Sequence, residues 1–167
     1  IMSIVDYVDE MIIYDTGSTD NTVEIIQTID NPKIIFHRYK ESIGGAIHTR
    51  VRNEILKKSK FDWILIVDGD EIWTDSAATE MRDIIKHEGN KFEFLIRPFI
   101  NLVGDVFHIQ DPAAGRYQIG SYYGNYTIRA VNTSLIAGLH LENDHPLEGF
   151  YDENNVLIQN RRPIKAK

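Results

Sequence analysis

Apolar and polar positions along the chain alternate between short continuous apolar runs and stretches that carry a helical stripe. Ile1, Ile4, Val5 and Val8 follow helical spacing, although no Ser, Thr, Asp or Asn precedes them as a cap. Residues 11–15 form an apolar run closing on an acid, which predicts a strand, and the polar stretch 16–21 with its one glycine predicts a turn. Asn21 and Glu24 stand at capping-box spacing and predict a helix over 22–29. Asn31-Pro32 ends it, and a second strand is expected over 34–39. A loop over 40–45 finishes in Gly44-Gly45. The helix expected over 46–59 puts Ile47, Val51 and Ile55 on one face and Arg50, Arg52 and Lys57 elsewhere.

The pattern turns on 63–71, WILIVDGDE. Its apolar run is rich in β-branched residues and predicts a strand buried on both faces, as inside a parallel sheet. Asp75 or Ser76 is the expected cap of a helix through Met81, Ile84 and Ile85, which Gly89-Asn90 ends. Alternating strands and helices with short links predict an α/β fold on a mostly parallel sheet flanked by helices. After Lys91 the helical period is lost. Extended sequence over 92–99, a Gly- and Tyr-rich stretch, and strands near 126–131 and 139–141 predict an antiparallel, loop-rich C-terminal part joined to the sheet's edge.

At 167 residues the chain suits one domain over 1–160, followed by a basic, solvated tail over 161–167. Its 43% hydrophobic and 26% charged residues are ordinary for a globular protein. The formal charge of −7 leaves no basic stripe for a nucleic-acid duplex, though a local pocket for one nucleotide stays open. With no cysteine, thiolate metal sites, cysteine nucleophiles and disulfides are excluded. No apolar run approaches a transmembrane length, no signal peptide stands at the start, and a cytoplasmic location is the default expectation.

Three carboxylates, Asp68, Asp70 and Glu71, arrive together at the end of the central strand. Like charges so close repel unless a cation or hydrogen-bond donors hold them. The carboxyl ends of parallel strands are also where α/β sheets place ligands. A divalent metal with an anion beyond it is one reading. An ordinary Asp-Gly turn is the other, and this stretch alone does not choose between them.

The phrase DTGSTDNT over 15–22, the pair Arg52-Asn53, and the strand closing on Asp68–Gly69–Asp70 with Glu71 after it stand in the order found in family 2 glycosyltransferases. The chain resembles that family over about 8–75. The resemblance implies a GT-A-like (Rossmann-like) fold, with 1–90 as the nucleotide-binding half and 91–160 as the acceptor-side half. It implies that Asp15, Thr16, Gly17 and Ser18 form the donor's nucleotide pocket, that Arg52 faces the nucleotide with Asn53 supporting the loop, and that Asp68 contacts the ribose or the metal's shell. Asp70 would ligate Mn²⁺ or Mg²⁺. Within 139–148, LHLENDHPLE, alignment with related transferases makes His145 a further metal ligand and Asp144 or Glu142 the base for an acceptor hydroxyl. A polar surface loop is the competing reading. His37, His48, His87, His108 and His140 are expected to be ordinary surface or core residues. Tyr117, Tyr122, Tyr123 and Tyr126 suit packing at the sheet edge before stacking on a sugar.

The implied activity is metal-dependent transfer from a nucleotide-sugar, a UDP-sugar, with inversion, to an unknown glycan, lipid or protein acceptor. A D-x-D phosphotransfer hydrolase and a truncated nucleotide- or carbohydrate-binding module are the alternatives. Family members also begin with a strand lying between those that end here at Asp15 and Asp68. This chain is expected to be a fragment lacking it, to fill the slot with 156–158, or to pair the two strands directly, because a sheet does not leave buried backbone groups unpaired.

Overall fold

The period-2 and period-3.6 stretches become strands and helices with small shifts at their ends. The computed structural model describes residues 1–39, 47–143 and 147–161. In chain order the elements are β1 (Met11–Asp15), α1 (Thr22–Gln27), β2 (Ile34–Arg38), α2 (Ile47–Lys58), β3 (Trp63–Leu65), α3 (Asp75–Glu88), β4 (Phe94–Pro98), β5 (Leu102–Val103), β6 (Asp105–Ile109), β7 (Tyr117–Ile119), β8 (Tyr122–Gly124), β9 (Tyr126–Asn132), β10 (His140–Glu142) and β11 (Gly149–Tyr151). The Gly44-Gly45 loop and the tail beyond Arg161 lie outside the described residues.

One compact unit comprises Ile1–Lys60, Asp68–His87 and His140–Phe150. Here β1 and β2 run parallel, Met11 opposite Ile34 through Asp15 opposite Arg38, with α1 as the crossover. The N-terminal stripe makes a single 3₁₀ turn over Val5–Tyr7 and buries Ile4 and Val5. Two expected caps differ from those observed. No side-chain bond from Asn21 caps α1, and Asp20 Oδ1 instead accepts the Thr22 N–H at 3.0 Å. At α3 the Thr74 hydroxyl accepts the Ala77 N–H at 3.3 Å, one residue before the expected Asp75 or Ser76. Short polar side chains in a row compete for the same few N–H groups, and backbone angles decide among them. α2 buries Ile47 and Val51, and α3 buries Ala78 and Met81.

The second unit comprises Phe61–Val67, Glu88–Leu139 and Tyr151–Lys167. Its core is a three-stranded sheet in the order β3-β9-β4, both pairings antiparallel. Phe94, Leu95, Ala130, Val131, Ile136 and Ile158 are fully buried around it. The mostly parallel sheet expected from the sequence is therefore corrected to small, largely antiparallel sheets in a mixed α/β chain. The run 63–67 is half-buried along its length, as suits an edge strand beside β9, rather than buried on both faces. An apolar run specifies burial but not the direction of its neighbour, so the parallel reading had no local warrant.

The segment 156–158 pairs within its own unit. The Asp152 N–H bonds Val156 O at 3.1 Å, Tyr151 bridges Leu157, and Ile158 opens a 3₁₀ turn. Within their own units β1 pairs with β2 and β3 pairs with β9. The hairpins β5–β6 and β7–β8 supply the expected antiparallel, loop-rich part. Tyr122 packs on Tyr126 at 5.5 Å and Tyr117 edge-on to Phe99 at 5.9 Å, while Tyr117, Tyr122 and Tyr123 remain exposed.

Candidate functional site

The turn after β1 is built by its own acid. Asp15 is buried, and its Oδ1 accepts the Ser18 N–H at 3.0 Å while Oδ2 lies 3.5 Å from Arg38 Nε. Burial pushes the carboxyl up, but the Ser18 hydroxyl, the Ser18 and Gly17 N–H groups and Arg38 together outweigh it, leaving Asp15 below the ordinary carboxylate range. Gly17 takes φ +125°, a conformation that L side chains rarely adopt, and this lets the chain fold back over Asp15. Thr16 and Gly17 are exposed and Ser18 is half-buried. The result is an open turn whose exposed backbone can meet a ligand while a buried anion holds its shape.

The acidic turn after the central run is closed by its first and last members. The Asp68 N–H bonds Glu71 Oε2 at 3.3 Å, and the Glu71 N–H bonds Asp68 O at 3.1 Å. Asp70 is exposed. Arg52, half-buried on α2, donates from Nη2 to Asp68 Oδ1 at 2.6 Å and from Nη1 to Glu148 Oε1. Arg50, not Arg52, is the arginine beside Glu54, at 4.0 Å. Glu148 lies 96 residues from Arg52 and its side chain is only 15% exposed, against 44% for Asp68. In the sequence Glu148 stands as one of several acids packed into 139–148. Its only signal was that density, since nothing local links it to α2.

Asn53, next to Arg52, ties α2 to β10. Its Nδ2 donates to Leu141 O at 2.8 Å and its Oδ1 accepts the Leu141 N–H at 2.8 Å, so the amide satisfies a strand residue as a neighbouring strand would. Alternation along β10 puts His140 and Glu142 on the same side, with His140 Nε2 3.3 Å from Glu142 Oε1. His140, expected to be an ordinary histidine, thus pairs with a candidate base. Asp144 and His145 lie outside the described residues. Asp15, Arg52, Asp68, Asp70, Glu142 and Glu148 all belong to the first unit.

Among the described residues, no group of three or more His, Cys, Asp or Glu side chains could hold a metal ion. What the acidic turn does offer is two hard carboxylate donors one residue apart, Asp70 exposed and Asp68 partly so. That donor set fits Mg²⁺ or Mn²⁺ bound through one or two carboxylates and completed by water and ligand phosphates, rather than an all-protein cage. No helix among the described residues is long and apolar enough to cross a membrane.

A TPR repeat-containing protein of Synechococcus elongatus is 36% identical over 80 residues, which is 48% of this chain and 18% of that protein. Poly-beta-1,6-N-acetyl-D-glucosamine synthase of Staphylococcus aureus is 34% identical over 80 residues, 47% of this chain and 19% of the synthase. The chain spans less than a fifth of the length of these curated relatives. No solved structure matches it. The sequence profile described as glycosyl transferase family 2 matches residues 1–140, well over half of the 167. The chain belongs to glycosyl transferase family 2.

Proposed function

We propose that this chain transfers a sugar from a nucleotide-sugar donor, a UDP-sugar, to an acceptor hydroxyl on a glycan, lipid or protein, with inversion and with help from Mn²⁺ or Mg²⁺. The observation that carries the reading is the meeting of Arg52 with Asp68 and Glu148 in the unit that also contains the 15–18 turn. Family members commonly use divalent metals, and the relative from Staphylococcus aureus is a synthase of a poly-N-acetylglucosamine.

In this reading the 15–18 turn and Arg52 bind the nucleotide, the turn through backbone groups and Arg52 through guanidinium N–H groups not given to Asp68 and Glu148. Asp70, with Asp68, holds the cation, and His145 adds a ligand. A bound divalent ion supplies Lewis-acid stabilisation of the leaving diphosphate, worth several kcal/mol. Glu142 or Asp144 takes the acceptor's proton as the acceptor oxygen attacks the anomeric carbon from the face opposite the departing diphosphate. His140 beside Glu142 orients that carboxylate. The family gives the phosphotransfer alternative no support.

The test is a titration of UDP with and without Mn²⁺ against wild type and Asp70→Ala. Binding that needs Mn²⁺ and disappears in the variant is expected. UDP binding that is indifferent to both overturns the metal assignment. Hydrolysis of UDP-sugars in Mn²⁺ separates an enzyme from a binding module.

A further inference from the structure

We propose that Glu148 is a positioning residue that keeps Arg52 from closing both terminal nitrogens on Asp68, so that Asp68 can exchange its one bond to Arg52 for the cation. The proposal rests on the reading above that the 68–70 turn takes a divalent ion. A guanidinium presents its donors as a planar fork, and the strongest arrangement for a single carboxylate is to take two of them side by side. Arg52 does not give Asp68 that arrangement. It spends Nη2 on Asp68 and Nη1 on Glu148, one carboxylate to each terminal nitrogen. Glu148 is the more buried of the two acids, so its bond is the better shielded from water.

The consequence is a division of labour. Asp68, with nearly half its side chain in solvent, holds one edge of Arg52 and can exchange that bond for a metal–oxygen bond at small cost. Glu148 stays, so the guanidinium keeps its place on α2 when Asp68 turns away. Without Glu148 the freed Nη1 is at hand to close a two-pronged bond on Asp68. The carboxylate is then drawn toward Arg52 and away from the ion. Glu148 touches neither nucleotide nor metal in this scheme and acts through Arg52.

The measurement is Mn²⁺ affinity in the presence of UDP, followed by the electron paramagnetic resonance signal of free Mn²⁺, across a cycle of wild type, Glu148→Gln, Arg52→Gln and the double variant. Glu148→Gln should weaken Mn²⁺ roughly tenfold when Arg52 is present, the range seen when a partner behind a metal ligand is removed. In the Arg52→Gln background the same change should cost little, because no guanidinium remains to claim Asp68. Equal losses in both backgrounds would make Glu148 a distant charge or a brace for the fold, and no loss in either would end the proposal outright. Glu148→Asp provides a second route if Glu148→Gln does not fold. It keeps the charge but withdraws it from Arg52, so a loss of affinity supports positioning and an unchanged affinity overturns it. A wild type with no Mn²⁺ affinity in UDP overturns the metal reading itself, a failure distinct from equal losses in a protein that does bind the ion.

Discussion

Asp15 carries two jobs in one side chain, closing β1 and folding the 15–18 turn onto itself. Because its carboxyl is held below the ordinary range in the folded chain, its charged form contributes stability above the unfolded value and loses it as pH falls through the folded one. Asp15→Asn should therefore destabilise the protein by about 1–2 kcal/mol near neutral pH. The gap to wild type should narrow as pH drops below about 4. Urea unfolding at a series of pH values reads this directly. A gap that stays constant with pH would mean that the ionised form makes no special contribution. Most single residues of the proposed site were candidates at this scale. Asp15, Arg52, Asp68 and Asp70 stood out because their neighbours in sequence formed a recognisable order. Glu148 and His140 did not, because what distinguishes them is a partner reached through folding: Arg52 across 96 residues for the first, and the alternation of a three-residue strand for the second.

Among elements, legibility followed the range of the interactions. Helices α2 and α3 and strands β1, β2, β4 and β9 are written in local spacing and came out near their expected bounds. The central apolar run did not, since β3 is defined by β9, which follows it by more than sixty residues. Its residue types carry a burial tendency and leave its partner open. The same limit hid the link between α2 and β10, where Asn53 stands in for a strand neighbour of Leu141. Asn53→Ala leaves both the N–H and the carbonyl of Leu141 without that partner, at an expected cost of about 1–3 kcal/mol. Amide exchange at Leu141 should accelerate in the variant, along with a lower melting temperature. Unchanged protection at Leu141 would show that the side chain is not what holds β10 on α2.

At the scale of the whole chain, the two units are interleaved in sequence, and this is what makes the site's composition informative. The first unit takes its third segment, His140–Phe150, from beyond almost the whole of the second. Glu142 and Glu148 belong to the same unit as Asp15, Arg52 and Asp70. Ligand protection should follow the unit and not the sequence order. On adding UDP and Mn²⁺, hydrogen exchange should slow at 15–18, along α2, at 68–71 and within 140–150. Ligand bound to the native state stabilises the parts that hold it. The hairpins β5–β6 and β7–β8 of the second unit, exposed but for Ile119 and Gly124, should exchange as before. Protection confined to those hairpins would move the nucleotide site out of the first unit and remove the basis for assigning Arg52, Asp68 and Asp70. Protection at 15–18 alone, with 140–150 unaffected, would keep the nucleotide turn but separate it from Glu142 and Glu148, leaving the acceptor's base to be sought elsewhere in the chain.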